Sequence, residues 1–337
     1  MKKTILFRAD GNSISGLGHI YRLFSLVEIV KEKYDFIFIT RESTPQSVFS
    51  NITQPYLIPD SVLICEEPKW LSENFDPQKH IIIADGYQFK SIYQKNIKEF
   101  GYGLVYIDDL EQYFMYADLV INHSSSSEAS NFKTESYTKF ALGTKYSLLR
   151  PSFLKEAQSK REIDQIDTVF VCFGGADEFD FSYQVVKNLL KINYIKEINL
   201  VIGAAYKHDR VFDLKKAFSS KLKIHENLSE KHLLKVMKSC NFAISPTSTI
   251  LYELTCVKMP IISGYFVDNQ KDVYTWFKKQ ECFYGVDNFS NFNFKKIEEI
   301  LSKIDNACIN KYMINQGKVI DGLQKDRILS LINELIS

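Results

Sequence analysis

The residues best suited to chemistry lie within the first 22 positions of the chain. A short apolar run, Thr4–Phe7, is followed by Arg8 and Asp10, and a turn then leads to His19 and Arg22. A histidine, whose ordinary pKa is about 6.5, can accept a proton near neutral pH, and neighbouring carboxylate and guanidinium groups can orient it or bind a substrate. The pattern therefore indicates a general base, His19, among polar groups that assist it.

Two glycines, Gly16 and Gly18, mark the turn before this histidine. Apolar residues at helical spacing predict a helix from position 18 to position 32. A strand that ends at such a turn directs backbone N–H groups and a helix N-terminus to the carboxyl edge of a sheet, where α/β proteins bind ligands. Because the third glycine of a dinucleotide fingerprint is missing, a turn without function is the alternative interpretation. The polar residues around the turn favour the functional one.

A second glycine turn follows an apolar strand in the other half of the chain. Gly174, Gly175 and Asp177 come directly after the predicted strand at 168–173. Small residues let backbone N–H donors approach a diphosphate, whose charge favours such donors. A turn without a ligand is again the alternative, and these residues alone do not decide between the two.

Two further polar groups follow strands in the second half. Ser248 and Thr249 precede an apolar helix, where their hydroxyl groups can cap the helix or bind phosphate oxygens. Glu253, one turn into that helix, could accept hydrogen bonds from ribose hydroxyls. Asn269 and Gln270 follow the next predicted strand and are expected to face a ligand.

Acidic and amide side chains end three strands of the first half. They are Asp85, the pair Asp108 and Asp109, and Asn122 with its neighbour His123. Such groups can bind a metal ion or transfer protons. Adjacent residues of an extended strand point in different directions, so Asp108 and Asp109 do not form a metal clamp. We therefore predict no metal site and keep His123 as a secondary candidate.

The composition is that of an ordinary globular protein. The chain has 337 residues, of which 45% are hydrophobic and 25% are charged, and its formal net charge is +1. This length predicts two domains, and this charge argues against a nucleic-acid-binding protein. No run is long enough to span a membrane, and no signal peptide is apparent at the first residues. The six cysteines are scattered, which is typical of reduced residues in a cytoplasmic protein.

Alternating strands and helices predict parallel sheets along the whole chain. Strands are predicted at 3–7, 35–40, 80–84, 104–107, 119–122, 168–173, 198–202, 221–225, 242–245 and 260–263. Helices are predicted at 18–32, 46–51, 89–100, 182–190, 230–240, 250–257 and 271–279, and a helical tail follows position 294. We expect two doubly wound, Rossmann-like α/β domains facing a cleft, at 1–155 and 165–337, joined by a connection at 143–160. The tail helix is expected to pack back on the first domain, and the serine run at 124–127 is expected to be a mobile loop.

Taken together, these motifs resemble the UDP-sugar hydrolases of pseudaminic acid biosynthesis, which act on UDP-2,4-diacetamido-2,4,6-trideoxy-β-L-altropyranose. The shared elements are Arg8–Gly11, the turn Gly16–Arg22, Asp85–Tyr87, Ile107–Asp109, Gly174–Asp177, Glu253 and Asn269–Gln270. They occur in the expected order over roughly residues 3–285. The family is related to the N-acetylglucosaminyltransferase of peptidoglycan lipid synthesis and shares its two-domain GT-B fold. The resemblance maps the family's catalytic histidine onto His19.

The resemblance also implies roles for the other candidate residues. The first domain would position the sugar and a water, and the second would hold UDP without a cofactor or a metal ion. The expected substrate-binding residues are Arg8, Asp10, Gly18, Arg22, Asp85, Tyr87 and Asn122. The expected nucleotide-binding residues are Gly174, Gly175, Asp177, Ser248, Thr249, Glu253, Asn269 and Gln270.

The expected reaction is hydrolysis of the anomeric C–O bond with inversion, which releases UDP and free sugar. His19 would take a proton from the attacking water, and either Asp10 or Asp85 would orient the imidazole or the sugar. A GT-B glycosyltransferase, in which an acceptor hydroxyl replaces water, is the alternative enzyme. A regulator that only binds a nucleotide sugar remains if His19 is structural. We expect a cytoplasmic monomer with a UDP-sugar as its partner and no nucleic acid or membrane.

Overall fold

The chain folds into two compact units. The computed structural model describes residues 3–11, 17–49, 52–125 and 127–336. The first unit comprises Met1–Pro151 and Leu323–Ser337, and the second comprises Ser152–Gly322. Gly16 of the predicted ligand-binding turn and Ser126 of the predicted mobile loop lie outside the described residues.

The first unit is built on a parallel sheet of seven strands. Its elements in chain order are β1 (Thr4–Arg8), α1 (Gly18–Val30), β2 (Phe36–Arg41), β3 (Tyr56–Ile58), α2 (Glu67–Asn74), β4 (His80–Asp85), α3 (Ser91–Glu99), β5 (Gly103–Ile107), β6 (Phe114–Met115), β7 (Leu119–Asn122), β8 (Lys133–Thr134) and β9 (Lys139–Leu142). The strand order is β3-β2-β1-β4-β5-β7-β9, while β6 and β8 form a separate parallel pair. Central strands such as β4 are apolar on both faces because helices and loops cover both sides of the sheet.

The second unit repeats this arrangement with six strands. Its elements in chain order are α4 (Pro151–Ala157), β10 (Thr168–Val171), α5 (Phe181–Leu189), β11 (Glu197–Ile202), α6 (Arg210–Ala217), β12 (Leu222–Glu226), α7 (Glu230–Ser239), β13 (Phe242–Pro246), α8 (Thr249–Val257), β14 (Ile261–Tyr265), α9 (Lys271–Lys279), β15 (Tyr284–Asn288), α10 (Ile297–Lys303) and α11 (Asn306–Val319). The last helix of the chain, α12 (Gln324–Ile336), follows this unit. The strand order is β12-β11-β10-β13-β14-β15, and each neighbouring pair is parallel.

Both sheets reverse their strand order at one point. In the first unit the chain moves outward from β1 to β3 and then returns to place β4 on the other side of β1. In the second unit β10 and β13 have the same relation. Open α/β sheets bind ligands at the carboxyl ends of the strands that flank such a reversal. Ligand-binding sites are therefore expected at the loops after β1 and β4 and at those after β10 and β13.

The last helix belongs to the first unit. Three apolar residues of α12, Ile328, Leu329 and Ile332, are buried in the same core as the inner face of α1. Lys325 of α12 forms an ion pair of 2.6 Å with Glu32, just beyond α1. The chain thus crosses to the second unit and returns before it ends.

The expectation of two parallel-sheet α/β domains is confirmed, and each predicted strand corresponds to an observed one within two residues at either end. Several short elements were missed, namely α2, α4, α6, β3, β6, β8, β9 and β15. The connection predicted at 143–160 contains α4, and the helix predicted at 46–51 is a 3₁₀ turn over Gln46–Phe49, with Asn51 outside the described residues. These segments are short or largely polar, so their apolar residues do not complete a recognisable period.

Candidate functional site

A histidine and a buried aspartate meet at the reversal point of the first sheet. His19 is the second residue of α1, which follows β1, and Asp85 is the last residue of β4. The Nδ1 atom of His19 lies 2.7 Å from a carboxylate oxygen of Asp85. Asp85 is fully buried and His19 is 8% exposed. The fold therefore pairs two predicted site residues that are 66 positions apart.

Arg22 binds the same aspartate from one turn further along α1. Its Nε donates to Asp85 Oδ2 at 2.6 Å and its Nη2 donates to Oδ1 at 2.5 Å. A third bond of 3.0 Å runs from Nη1 to Asp109, which follows β5. Residues three apart on a helix lie on the same face, so His19 and Arg22 approach Asp85 together. Asp109, considered from the sequence for metal binding or proton transfer, completes this cluster.

The charges of the cluster fix the protonation state of Asp85. Burial alone would raise the pKa of this carboxyl, but the charge and hydrogen bonds of Arg22 outweigh burial and hold the pKa below its usual range. An ionised carboxylate only accepts hydrogen bonds, so the proton in the bond to His19 belongs to Nδ1. In a neutral imidazole, the Nε2 atom of His19 then carries the lone pair. Among the residues that the structure describes, Nε2 has no recorded hydrogen-bond partner.

Tyr87 and His123 border this cluster. The ring of Tyr87 meets the ring of His19 edge-on, with centroids 4.6 Å apart, and the tyrosine is about half exposed. Burial lowers the pKa of His123 to about 4, and the charge of Arg22 contributes to this shift. His123 follows β7 directly, next but one to β4 in the sheet. Two imidazoles and a phenol thus lie along the same carboxyl edge.

Arg8 and Asp10 form a second, more deeply buried cluster. Arg8 is fully buried, and its guanidinium donates two bonds to Asp10 and two, of 2.7 and 2.9 Å, to Glu67. Asp10 also accepts from the backbone N–H of Arg41 at 2.9 Å and from Gln88 at 3.1 Å. Burial would raise the pKa of Asp10, but the charge of Arg8 lowers it below its usual value. With its donors engaged inside the protein, Arg8 acts on any ligand through Asp10.

Asn122 is part of a loop anchor and not of the histidine cluster. Its side-chain amide donates to Glu111 at 3.2 Å, and Ser127 and Asn131 donate to the same carboxylate at 2.6 and 2.8 Å. Glu111 has a left-handed backbone with φ of 57°. The backbone N–H of Glu111 donates in turn to Asp108, which is buried and has a raised pKa because of that burial. These contacts tie the loop after β7 to the loop after β5.

In the second unit, the glycine turn lies after β10, beside a glycine that follows β11. Gly174 has a left-handed φ of 89° that favours glycine. A Cβ atom placed on Gly203 would lie 2.6 Å from the Cα of Gly175, so the two turns pack backbone against backbone. A Cβ atom placed on Gly175 would meet nothing within 4 Å. Gly175 thus borders open space.

Asp177 binds the start of α5. Its two carboxylate oxygens accept the backbone N–H groups of Phe181 and Ser182 at 3.0 and 2.8 Å. Burial raises the pKa of Asp177 although these bonds oppose the shift. His208 contacts the backbone oxygen of Asp177 at 3.0 Å. The carboxylate of Asp177 therefore uses N–H groups of this helix that a phosphate would otherwise meet.

The start of α8 offers a different set of groups. Ser248 precedes the first residue, Thr249, and no hydrogen bond to the Ser248 hydroxyl caps the helix. Thr249 is exposed and Ser248 is partly exposed. Glu253 is buried one turn later, and its charge acts on Cys172, which follows β10. The helix N-terminus and its hydroxyls thus lie on the far side of the reversal point from the glycine turn.

The two remaining candidates, Asn269 and Gln270, lie in the loop after β14 and differ in their exposure. Asn269 is exposed. Gln270 is largely buried, and its side-chain oxygen accepts the backbone N–H of Phe266 at 3.1 Å. The backbone oxygen of Gln270 also accepts a bond of 3.1 Å from Thr247, in the segment that precedes α8. Gln270 therefore braces the loops on which Ser248 and Asn269 lie.

Three residues of these clusters were not among the predicted site residues, namely Glu67, Asp109 and Glu111. Glu67 begins α2, a mostly polar helix with little apolar periodicity, and its partner Arg8 is 59 positions away. Glu111 lies in a loop. Only Asp109 had a signal, because it follows an apolar strand directly.

Within the described ranges, no group of three or more His, Cys, Asp or Glu side chains is arranged to hold a metal ion. In the same ranges, every helix is too short or too polar to cross a membrane.

The free thiols include four buried cysteines, and burial raises the pKa of Cys172 to about 11.

Comparison with known sequences gives three distant relatives. The chain is 26% identical over 284 residues to uncharacterized protein MJ1062 of Methanocaldococcus jannaschii, a match that covers 80% of this chain and 57% of the relative. It is 25% identical over 283 residues to the UDP-2,4-diacetamido-2,4,6-trideoxy-beta-L-altropyranose hydrolase of Campylobacter jejuni, covering 82% of this chain and 96% of the relative. It is 22% identical over 267 residues to the spore coat polysaccharide biosynthesis protein SpsG of Bacillus subtilis, covering 78% and 77%. No protein-family model matches the chain.

Solved structures with the same fold cover nearly the whole chain. MurG of Acinetobacter baumannii has a TM-score of 0.67 at 8% identity and covers 98% of this chain and 99% of its own. The calicheamicin glycosyltransferase CalG4 has a TM-score of 0.65 at 9% identity, covering 99% and 98%. Anabaena HepE in complex with UDP has a TM-score of 0.61 at 11% identity, covering 99% and 100%. The chain thus has the GT-B fold of two parallel-sheet α/β domains, and its sequence is similar to that of a UDP-sugar hydrolase.

Proposed function

We propose that this protein hydrolyses a UDP-activated diacetamido-trideoxyhexose at the anomeric carbon and releases UDP and the free sugar. The observation that carries the proposal is the hydrogen bond between His19 and the buried, ionised Asp85. It leaves Nε2 of His19 as a proton acceptor at the carboxyl edge of the first sheet. The similarity to the Campylobacter hydrolase and the GT-B fold support the same class of substrate.

The catalytic step requires one proton acceptor and a stabilised leaving group. His19 takes a proton from water through Nε2 while the water oxygen forms a bond to the anomeric carbon and the bond to the UDP oxygen breaks. Asp85 stabilises the imidazolium that results, as the aspartate of a serine-protease triad does. Arg22 holds Asp85 in place from two directions. In this scheme four residues bind the sugar or position the loops around it, namely Asp10, Gly18, Tyr87 and Asn122. Arg8 positions Asp10.

The second unit would bind UDP. UDP leaves as an anion, and backbone N–H groups at Gly174 and Gly175 with the hydroxyls of Ser248 and Thr249 are suited to stabilise it. Glu253 would accept from the ribose. Asp177 would act indirectly, by ordering the turn before α5, and Gln270 would brace the loop that carries Asn269. The structure of a fold relative in complex with UDP supports this assignment.

The alternative is transfer of the sugar to an acceptor hydroxyl in place of water, for which the same base would serve. The fold is shared with a glycosyltransferase, so the fold alone does not separate the two reactions. The deciding experiment is incubation with a panel of UDP-sugars in the absence of any acceptor, followed by measurement of free UDP. Hydrolysis predicts stoichiometric UDP and free sugar. UDP release only when an acceptor is added would establish the transferase instead.

Reaction in ¹⁸O-water identifies the bond that breaks. Attack at the anomeric carbon places the label in the sugar and inverts the configuration. Attack at phosphorus would place the label in the nucleotide or sugar phosphate, with UMP as a product. UMP as the main product would contradict the proposal.

A further inference from the structure

The loop that begins at His123 borders the histidine cluster, yet the proposed reaction leaves it without a role. His123 directly follows β7, whose neighbour β5 leads to Asp109 and whose next neighbour β4 ends at Asp85. The charges of Arg22, Asp109 and Asp85 all act on its ring. His123 therefore belongs to the same carboxyl edge as His19.

Two neutral polar groups of this loop, the ring of His123 and the hydroxyl of Ser125, have no hydrogen-bond partner among the residues that the structure describes. No hydrogen bond to either ring nitrogen of His123 is recorded in the described part of the chain, although the residue is half-buried. The hydroxyl of Ser125 is buried and also has no partner among the described residues. Buried polar groups are almost always hydrogen-bonded, because an unsatisfied one costs about 1–3 kcal/mol. The Ser125 hydroxyl is such a group, and the partly exposed ring of His123 lies two positions away, as expected of a surface that a polar ligand completes.

Residues on both sides of His123 are nevertheless held in place by hydrogen bonds. The carboxylate of Glu111 accepts hydrogen bonds from Asn122 on one side of His123 and from Ser127 and Asn131 on the other. A second bond fixes the backbone turn, since the N–H of Ser124 donates to the side chain of Asn122 at 2.8 Å. The unsatisfied groups are thus held in place by satisfied ones.

We propose that His123 binds an uncharged hydrogen-bonding group of the sugar, namely an acetamido or hydroxyl substituent, and that Glu111 positions it. The inference rests on the proposed function. A neutral imidazole presents one N–H donor and one nitrogen acceptor, which matches an amide or a hydroxyl group. Because burial and the charge of Arg22 disfavour its protonated form, His123 offers no positive charge to a diphosphate. A neutral ring therefore matches an uncharged substituent and not the diphosphate.

The test compares the affinity of the protein for a UDP-sugar with its affinity for UDP alone. Calorimetric titrations use wild type, His123→Leu and His123→Gln with UDP and with the UDP-sugar that wild type binds most tightly in the panel. His123→Leu should weaken UDP-sugar binding about 2- to 12-fold, as expected for one neutral hydrogen bond, and leave UDP binding unchanged. His123→Gln, which keeps a donor and an acceptor, should recover part of the loss. His80→Ala, at the opposite end of β4, serves as the matched histidine control.

Glu111→Gln tests the positioning role. An amide in place of the carboxylate presents N–H groups to donors at Ser127, Asn122 or Asn131, so the loop loses part of its anchor. The same selective loss of UDP-sugar affinity is expected, with UDP affinity unchanged.

The results of these titrations separate a failure of the His123 role from a failure of the proposed function. Equal UDP-sugar affinity in wild type and His123→Leu, or an equal loss for UDP and UDP-sugar, would overturn the role of His123 and leave the proposed function intact. A wild type that neither binds nor hydrolyses any UDP-sugar would overturn the proposed function and the inference with it.

Discussion

The carboxyl edges of the two sheets share a strand order and differ in the polar groups that they carry. At the edge of the first sheet, charged side chains pair with one another, and Asp85 lies between His19 and Arg22. At the edge of the second, glycines, hydroxyls and a helix N-terminus predominate, and the carboxylate of Asp177 binds backbone N–H groups. The same fold thus presents paired titratable side chains in one unit and backbone donors in the other.

The pKa values of the aspartates at the two edges shift in opposite directions. The pKa of Asp85 is lowered because Arg22 outweighs the effect of burial, whereas the pKa of Asp177 is raised because burial outweighs its hydrogen bonds. A guanidinium group is a full charge, and a backbone N–H group is a partial one. The comparison predicts that substitutions in the first unit change turnover and substitutions in the second change nucleotide affinity.

His19→Ala should have the largest effect on turnover. Removal of a positioned general base lowers the rate about 10²–10⁴-fold. UDP affinity should stay near that of wild type, because the nucleotide is assigned to the other unit. Steady-state kinetics and UDP titration on the same preparation measure both quantities. Wild-type turnover of a confirmed substrate by this variant would remove His19 as the base.

Asp85→Asn should have the largest effect on stability. The partly buried guanidinium of Arg22 would lose its main partner and keep only Asp109, and removal of one member of a buried ion pair costs up to about 3–5 kcal/mol. Turnover should also fall steeply, because an amide that donates to Nδ1 of His19 leaves the proton on Nε2 and removes the proton acceptor. Urea unfolding gives the change in free energy. Asp109→Asn is the matched control on the same arginine, and because Asp109 is the more exposed partner its loss should cost about 1 kcal/mol or less.

Gly175→Val should weaken UDP binding by tenfold or more, as an estimate of about 1.4 kcal/mol or more. The added side chain occupies the space beside the turn in which we place the diphosphate, and its Cβ meets no protein atom within 4 Å. The free energy of unfolding should therefore hardly change. Gly203→Ala is the contrasting variant, since its Cβ would press on the backbone of Gly175. Unchanged UDP affinity in Gly175→Val would place the nucleotide elsewhere.

The pH dependence of stability should show a contribution from His123 in the first unit. Its pKa of about 4 lies below the value of about 6.5 expected in the unfolded chain. Unfolding therefore takes up about one proton at this residue between these values, and stability is lost as the pH falls through that window. In His123→Asn this contribution is absent. Urea midpoints near pH 5 and pH 7 should differ less in the variant than in wild type, and an equal difference would contradict the assignment.

Chelation should have the smallest effect. We expect activity to persist in EDTA, because N–H groups and hydroxyls of the second unit can meet the charge of the diphosphate. Loss of activity on chelation that magnesium or manganese restores would contradict this and would direct attention to Asp108, Asp109 and His123.

The predicted strands were found because each is a short apolar run bounded by turn residues, a pattern that depends on neighbours in the sequence. The same pattern placed polar residues at the carboxyl ends of strands, where Asp85, Asp109 and Gly174 are found. The short edge strand β3 and the polar helix α2 were missed because packing, and not local periodicity, stabilises them. The catalytic and binding roles of these residues remain predictions.

The sequence by itself determined the alternation of strands and helices and the glycine turn that occurs in each half. It also identified His19 as the histidine beside the first of these turns. Only the tertiary structure decided which charges meet. It placed Asp85 between His19 and Arg22 and enclosed Arg8 with Glu67. The physical reason is that apolar periodicity is a property of neighbouring residues. A buried ion pair instead depends on strand order and packing between segments tens of residues apart.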